Sequence, residues 1–212
     1  RVEARGKHLV IELDDGRALH THLGMTGAWH VYRPGERWQV GEHLARLVLE
    51  TDAFVAVCFR APTIELLEAR GAVDARLAGL GPDVALAGFD VAAAARRLRA
   101  HGAGAIVADA LVDQAALSGV GNIWRSEALF AARVHPEAPV DALSDDDLAR
   151  VARAAHRLVA ASAAGGRPEL AVYGRARMPC PACGAPVERR RVGRLQRSAY
   201  FCPRCQRAMP PA

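Results

Sequence analysis

The 212-residue sequence predicts an α+β protein in three parts. Three observations lead to that class. Short β-like runs follow one another without intervening helices over the first third, which favours an antiparallel sandwich. A glycine and proline cluster, Gly79-Leu80-Gly81-Pro82-Asp83, then marks a change to apolar residues at helical spacing. Near the C-terminus, Cys180-Pro181-Ala182-Cys183 and Cys202-Pro203-Arg204-Cys205 flank a basic, strand-like spacer. The parts are therefore 1–82 (β-sandwich), 83–170 (helical) and 171–212 (cysteine-paired hairpin).

In the first part, His8-Leu9-Val10-Ile11-Glu12-Leu13 reads as a strand, Asp14-Asp15-Gly16 as a tight turn and 18–23 as the partner strand. Further strands fall at 29–32, 44–50 and 53–59, the last two joined by Thr51-Asp52. Cys58 lies inside the last of these and reads as a small buried hydrophobe.

In the second part, Asp90 is placed to cap a helix that runs to Arg99. The stretch 111–136 sets a polar turn, Ser118-Gly119-Val120-Gly121-Asn122, between two apolar-patterned helices. Its two glycines permit positive φ and the close approach of another molecule's backbone, and Asn122 can cap the helix that follows. A helix start under a glycine turn attracts phosphate, although an ordinary helical hairpin would carry the same pattern. Ile123, Trp124, Ala128, Phe130 and Ala131 recur at helical spacing and predict one buried face, ended by His135-Pro136. Ser144 before Asp145, Asp146 and Asp147 is a helix start; Leu148, Val151, Ala155, Leu158 and Val159 are its buried stripe and Gly165-Gly166 its end. His101 and His156 have no ligand partners near them in sequence and read as structural or solvent-facing.

In the third part, each Cys-x-x-Cys pair can supply two thiolates to one tetrahedral zinc; two disulfides in a secreted protein would be the alternative. Four cysteines leave no open coordination position for a water, so the zinc is expected to be structural. The spacer reads as a hairpin with strands at 187–192 and 196–201 and Gly193 near its turn. So small a unit would draw much of its folding free energy from the metal.

Composition narrows the partners. Half of the residues, 51%, are apolar, as in a globular protein, and 28 basic against 23 acidic side chains give a formal charge of +5. The arginines concentrate between 167 and 207, which places a basic, polyanion-attracting surface near the C-terminus. No apolar run approaches the roughly 20 residues needed to span a bilayer. With no signal peptide at the start, the chain is expected to be cytoplasmic and free of membrane. It opens on Arg1-Val2 without an initiator methionine and reads as the interior of a longer protein.

Four signatures in order resemble the formamidopyrimidine-DNA glycosylase and endonuclease VIII family. Asp113-Gln114, Gly119-Val120-Gly121-Asn122-Ile123-Trp124, Glu127-Ala128-Leu129-Phe130 and His135-Pro136 resemble its helix-two-turn-helix element. Arg5-Gly6-Lys7-His8-Leu9 and His22-Leu23-Gly24-Met25-Thr26-Gly27 resemble two of its β-domain motifs. The stretch Gln196-Arg197-Ser198-Ala199-Tyr200-Phe201-Cys202 resembles its zinc-finger motif. Trp124 stands where the family more often has tyrosine. The resemblance implies that the turn of Gly119, Gly121 and Asn122 grips the DNA backbone, Asn122 on a phosphate beside the damaged nucleotide. It implies that Arg197 clamps the flanking phosphate opposite Asn122. It also puts Lys7 at the reaction centre, holding a phosphate or helping proton transfer, where the residues alone would give a solvated strand-edge lysine. Met25 is either the apolar wedge that fills the hole left by an extruded base or a loop methionine packed on the core. Phe59-Arg60-Ala61-Pro62-Thr63 matches no formamidopyrimidine-branch wedge loop, which favours an endonuclease VIII-like member.

The implied activity is base-excision repair: a DNA glycosylase and abasic-site lyase acting on oxidised bases in damaged double-stranded DNA, as a monomer. The family's nucleophile is an N-terminal proline amine, with the next glutamate as proton donor; it forms an iminium at the sugar C1′ and drives β,δ-elimination. Here the first residues are Arg1 and Val2, so the sandwich is expected to be partial, lacking its first strand and helix. The polypeptide as written is then expected to bind without excising. The other class of function is a non-catalytic, zinc-containing nucleic-acid-binding module.

Overall fold

The computed structural model describes residues 1–208, so the last four positions of the expected 171–212 segment lie outside the described residues. The chain forms two compact units, Arg1–Ala78 and the part from Gly79 onward, each with its own core.

The first unit contains seven strands: β1 (Val2–Arg5), β2 (His8–Glu12), β3 (Ala18–His22), β4 (Ala28–Tyr32), β5 (Ala45–Glu50), β6 (Val55–Phe59) and β7 (Thr63–Leu67). They pair antiparallel into a four-stranded sheet of order β1-β2-β3-β7 and a three-stranded sheet of order β4-β6-β5. Val10, Ala18 and Leu19 from one sheet and Val57, Cys58 and Phe59 from the other are buried, and Trp29 Nε1 donates to Thr21 Oγ1 across the sheets at 3.3 Å. This is the expected antiparallel architecture. Cys58 is fully buried in β6, and burial pushes its thiol pKa up, so it behaves as a small hydrophobe.

Two elements were not legible. Thr63-Ile64-Glu65-Leu66-Leu67 lacks clean alternation yet pairs with β3 to close the first sheet. The helix α1 (Arg70–Leu77) follows with no side-chain cap, burying only Val73 and Leu77. Arg70 holds it to the sheet through the carboxylates of Glu3 and Glu12. Lys7 stands just before β2. Arg5 pairs with His8, so Gly6 and Lys7 form the two-residue turn between β1 and β2, and Gly6 takes φ 59°.

The second unit contains α2 (Val91–Arg99), α3 (Val107–Ala110), α4 (Asn122–Ala132), α5 (Asp145–Ala163), β8 (Glu188–Val192) and β9 (Arg197–Phe201). The caps follow the sequence: Asp90 accepts from Ala93 N, and Ser144 with Asp147 closes a capping box. Leu98 of α2, Leu129 of α4 and Leu148, Val151 and Ala155 of α5 form one core. His156 Nδ1 bonds Val84 O at 2.8 Å and its ring stacks on Phe89, which makes it structural.

The face that α4 buries differs from the expected apolar stripe. Arg125, Ser126, Glu127, Ala128, Leu129 and Ala132 are buried, whereas Ile123 and Ala131 are exposed. The reason is that α4 is covered from two directions. Ala128, Leu129 and Ala132 join the helical core, while its polar residues meet backbone groups of residues 171–173 and of β9. Phe130 packs with the cysteine cluster, not with the helices.

Candidate nucleic-acid interface and metal centre

The turn before α4 is built around one glycine. Gly119 takes φ 97°, a left-handed value that favours glycine, and its N–H donates to Gln114 Oε1 at 3.1 Å. Gln114 Nε2 donates to Val112 O and Val120 O, so this side chain fixes the loop from inside. Two expectations are corrected here. Gly121 has φ −112°, extended backbone that any residue adopts, and it, not Asn122, is the N-cap of α4.

Asn122 is the first helical residue, and its side chain does not cap. Its Nδ2 donates to Ser198 O on β9 at 2.9 Å. The adjacent residue of β9 is Arg197, which is exposed. Sequence positions 76 apart thus meet at one carbonyl, which holds Asn122 against the backbone next to Arg197. Asn122 Nδ2 carries a second hydrogen that this bond does not use, while Asn122 Oδ1 is buried without a protein donor.

Ser198 O also accepts from the Arg125 guanidinium at 3.0 Å. Arg125 is among the largest fully buried side chains. Burial pulls its pKa down to about 10, with Asp109 opposing and the charge of Arg197 adding to the fall, so it remains a cation at neutral pH. It therefore adds positive charge beneath the exposed Arg197. Arg125 was not singled out from sequence: an arginine inside an apolar-looking helix gives no local sign of whether it is buried.

The hairpin tip is fixed by Asp109, which accepts from Arg194 N at 2.8 Å. A Cβ on Gly193 would lie 2.0 Å from Asp109 Oδ1, so this approach requires glycine. At the other end, Glu127 accepts from the N–H groups of Ala171, Val172 and Tyr173 at 2.7–3.0 Å. Gln206 is fully buried; it receives Cys202 N and donates to Val134 O. His135 packs edge-on against Phe201, whose ring also lies under Arg190.

Cys180, Cys183, Cys202 and Cys205 offer four Sγ atoms all within 4.8 Å of one another. The donor set fits zinc, and its electrostatics call for a cation. Burial, followed by the neighbouring thiols, pushes Cys205 up to about 12, whereas an amide hydrogen bond brings Cys183 down to about 7. Four thiols this close cannot all ionise unless a dication stands among them. These four residues would hold a structural zinc that braces the hairpin.

In the first unit, Lys7 sits in the β1–β2 turn beside His8, with His8 packed against His22 at 4.8 Å between ring centroids. Met25 is 93% exposed in the following loop, so it is not packed on the core. Arg60, in the loop from β6 to β7, is exposed at φ 52°.

Three family models match this chain: the formamidopyrimidine-DNA glycosylase N-terminal domain over residues 1–63, its H2TH domain over 80–170, and the zinc finger found in FPG and IleRS over 179–208. A probable endonuclease 8 of Streptomyces coelicolor is 38% identical over 227 residues, covering 99% of this chain and 79% of that protein. The chain belongs to the formamidopyrimidine-DNA glycosylase and endonuclease VIII family. A formamidopyrimidine-DNA glycosylase of Geobacter sulfurreducens is 36% identical over 228 residues, with 98% of this chain and 81% of that one covered. The Lactococcus lactis glycosylase, solved with DNA containing an abasic site, superposes with a TM-score of 0.84 at 25% identity, over 98% of this chain and 81% of its own. In this DNA glycosylase and abasic-site lyase family the four cysteines are the structural zinc site. No helix among the described residues is long and apolar enough to cross a membrane.

Proposed function

We propose that this chain is the damage-gripping body of an endonuclease VIII-like DNA glycosylase and abasic-site lyase, acting on oxidised bases in duplex DNA by Schiff-base chemistry and β,δ-elimination. The observation that carries the reading is the bond from Asn122 Nδ2 to the backbone oxygen of Ser198, the residue next to Arg197 on β9. Asn122, in the turn of Gly119 and Gly121, holds one phosphate of the distorted strand. Arg197 holds the flanking one; its planar fork suits bidentate contact with phosphate. The buried charge of Arg125 reinforces both. The target nucleotide must leave the stack for the chemistry to reach it, and the exposed Met25 is the apolar side chain offered to the vacated space. Lys7 holds a phosphate or assists proton transfer at the reaction centre. The zinc supplies no chemistry; held by Cys180, Cys183, Cys202 and Cys205, it keeps β9 presented to α4.

The nucleophile of this chemistry is an N-terminal proline amine with a glutamate after it, and Arg1-Val2 offers neither. The polypeptide Arg1–Ala212 by itself is therefore proposed to bind damaged DNA as a monomer without excising a base. Borohydride trapping on a duplex with an oxidised pyrimidine tests this. Retarded but uncrosslinked DNA is expected; a covalent adduct would overturn it.

A further inference from the structure

A chain of hydrogen-bonded side chains crosses the first sheet from β7 through β3 to β2. Glu65 Oε2 lies 3.1 Å from His20 Nδ1, and His20 Nε2 lies 2.8 Å from His8 Nδ1. His20 is 3% exposed. The other oxygen of Glu65 pairs with Arg76 of α1 at 3.0 Å. At the outer end, His8 packs on His22 and follows Lys7 in sequence.

The hydrogen positions follow from the donors available. A carboxylate only accepts, so His20 Nδ1 carries the proton toward Glu65. Neutral His20 then accepts at Nε2, His8 donates from Nδ1, and the lone pair of His8 is left on Nε2. Three groups on adjacent strands thereby fix one tautomer.

We propose that Glu65, His20 and His8 form a proton relay that serves the Lys7 end of this sheet. A proton taken at His8 Nε2 releases the His8 Nδ1 proton to His20 Nε2, and the imidazolium formed at His20 stands against the Glu65 carboxylate. No bond to carbon changes, and the charge gained is one proton. His20 and Glu65 act through His8 and are positioning residues. The inference rests on the DNA-processing reading of Lys7.

In the protein alone, burial and then the fields of His22, His20 and Lys7 hold His8 at about 4, and burial, then Lys7 and His20, also lower His22. His8 is thus uncharged at neutral pH. A phosphate backbone at Lys7 and His22 would offset their field and draw a proton in, against the fixed charges of Glu65 and Arg76 at the inner end.

Imidazole ¹⁵N NMR of the 212-residue polypeptide at pH 7.5 tests the chain of bonds. Protonated Nδ1 and unprotonated Nε2 are expected for both His8 and His20; a His8 protonated at Nε2 would overturn the relay. Calorimetry with a duplex bearing a tetrahydrofuran abasic analogue, in buffers of low and high ionisation enthalpy, then counts protons. Uptake on binding is expected at pH 6.5, with affinity rising as pH falls, roughly threefold per pH unit for half a proton. Glu65→Gln and His8→Gln should lose that uptake, and His8→Gln, at a partly exposed position, serves if the former fails to fold. An unchanged proton count in either folded variant overturns the relay. Failure of every variant and the parent to bind the duplex overturns the DNA reading and the relay's role together, whatever the NMR spectrum shows.

Discussion

A single backbone oxygen, Ser198 O, receives both Asn122 and Arg125, and this accounts for how neutral and charged groups on α4 can act with an arginine on β9. Arg197→Ala should weaken binding to all lesion duplexes alike and lower the salt slope of binding by about 1, because one phosphate contact is lost. A change in lesion preference, measured by fluorescence anisotropy over a lesion panel, would show that Arg197 reads bases. Histidines set the acid limit of the fold. His8, His22 and His135 all have pKa values lowered chiefly by burial, so the folded state resists charging them. Their neutral forms cost nothing above the unfolded value near 6.5, and stability is lost as pH falls below it, for His8 down to about 4. Urea midpoints should therefore drop between pH 7 and pH 4.5, and His8→Phe should flatten part of that drop.

The hairpin and α4 are held together by buried polar bonds, and removing one end of such a bond is costly. Glu127→Gln leaves three amide donors of residues 171–173 facing a group with one acceptor oxygen, and should cost about 2 kcal/mol in denaturant unfolding. Stripping zinc with a chelator should weaken DNA binding more than tenfold. Far-UV circular dichroism should retain most of its helical signal, since α2, α4 and α5 keep their own core. The same elements explain what was legible in sequence. Cysteine spacing, the Ser144 box and the Gly119 turn each state their chemistry within a few residues. The buried face of α4 did not, because Glu127 finds its partners some 45 residues on and Asn122 finds its own 76 residues on. A pattern of apolar spacing cannot register a helix whose polar residues are paid in backbone hydrogen bonds. For the same reason β7 and α1 were missed: pairing with β3 and the ion pairs of Arg70 hold them, not their own periodicity.

For the molecule as a whole, the proposed grip can be tested by binding alone. The proposed grip resides in the second unit, where the hairpin of β8 and β9 and the turn before α4 converge. The central claim is that Asn122 and Arg197 hold neighbouring phosphates of one distorted strand. The most direct test measures affinity for abasic-analogue duplexes in which single phosphates are neutralised as methylphosphonates, one position at a time. The account predicts that two phosphates flanking the lesion on one strand matter most. Asn122→Ala should become insensitive to neutralisation of one of them, and Arg197→Ala to the other. If the sensitive phosphates lay on opposite strands, or if both variants kept the full response at both positions, the shared grip would be contradicted.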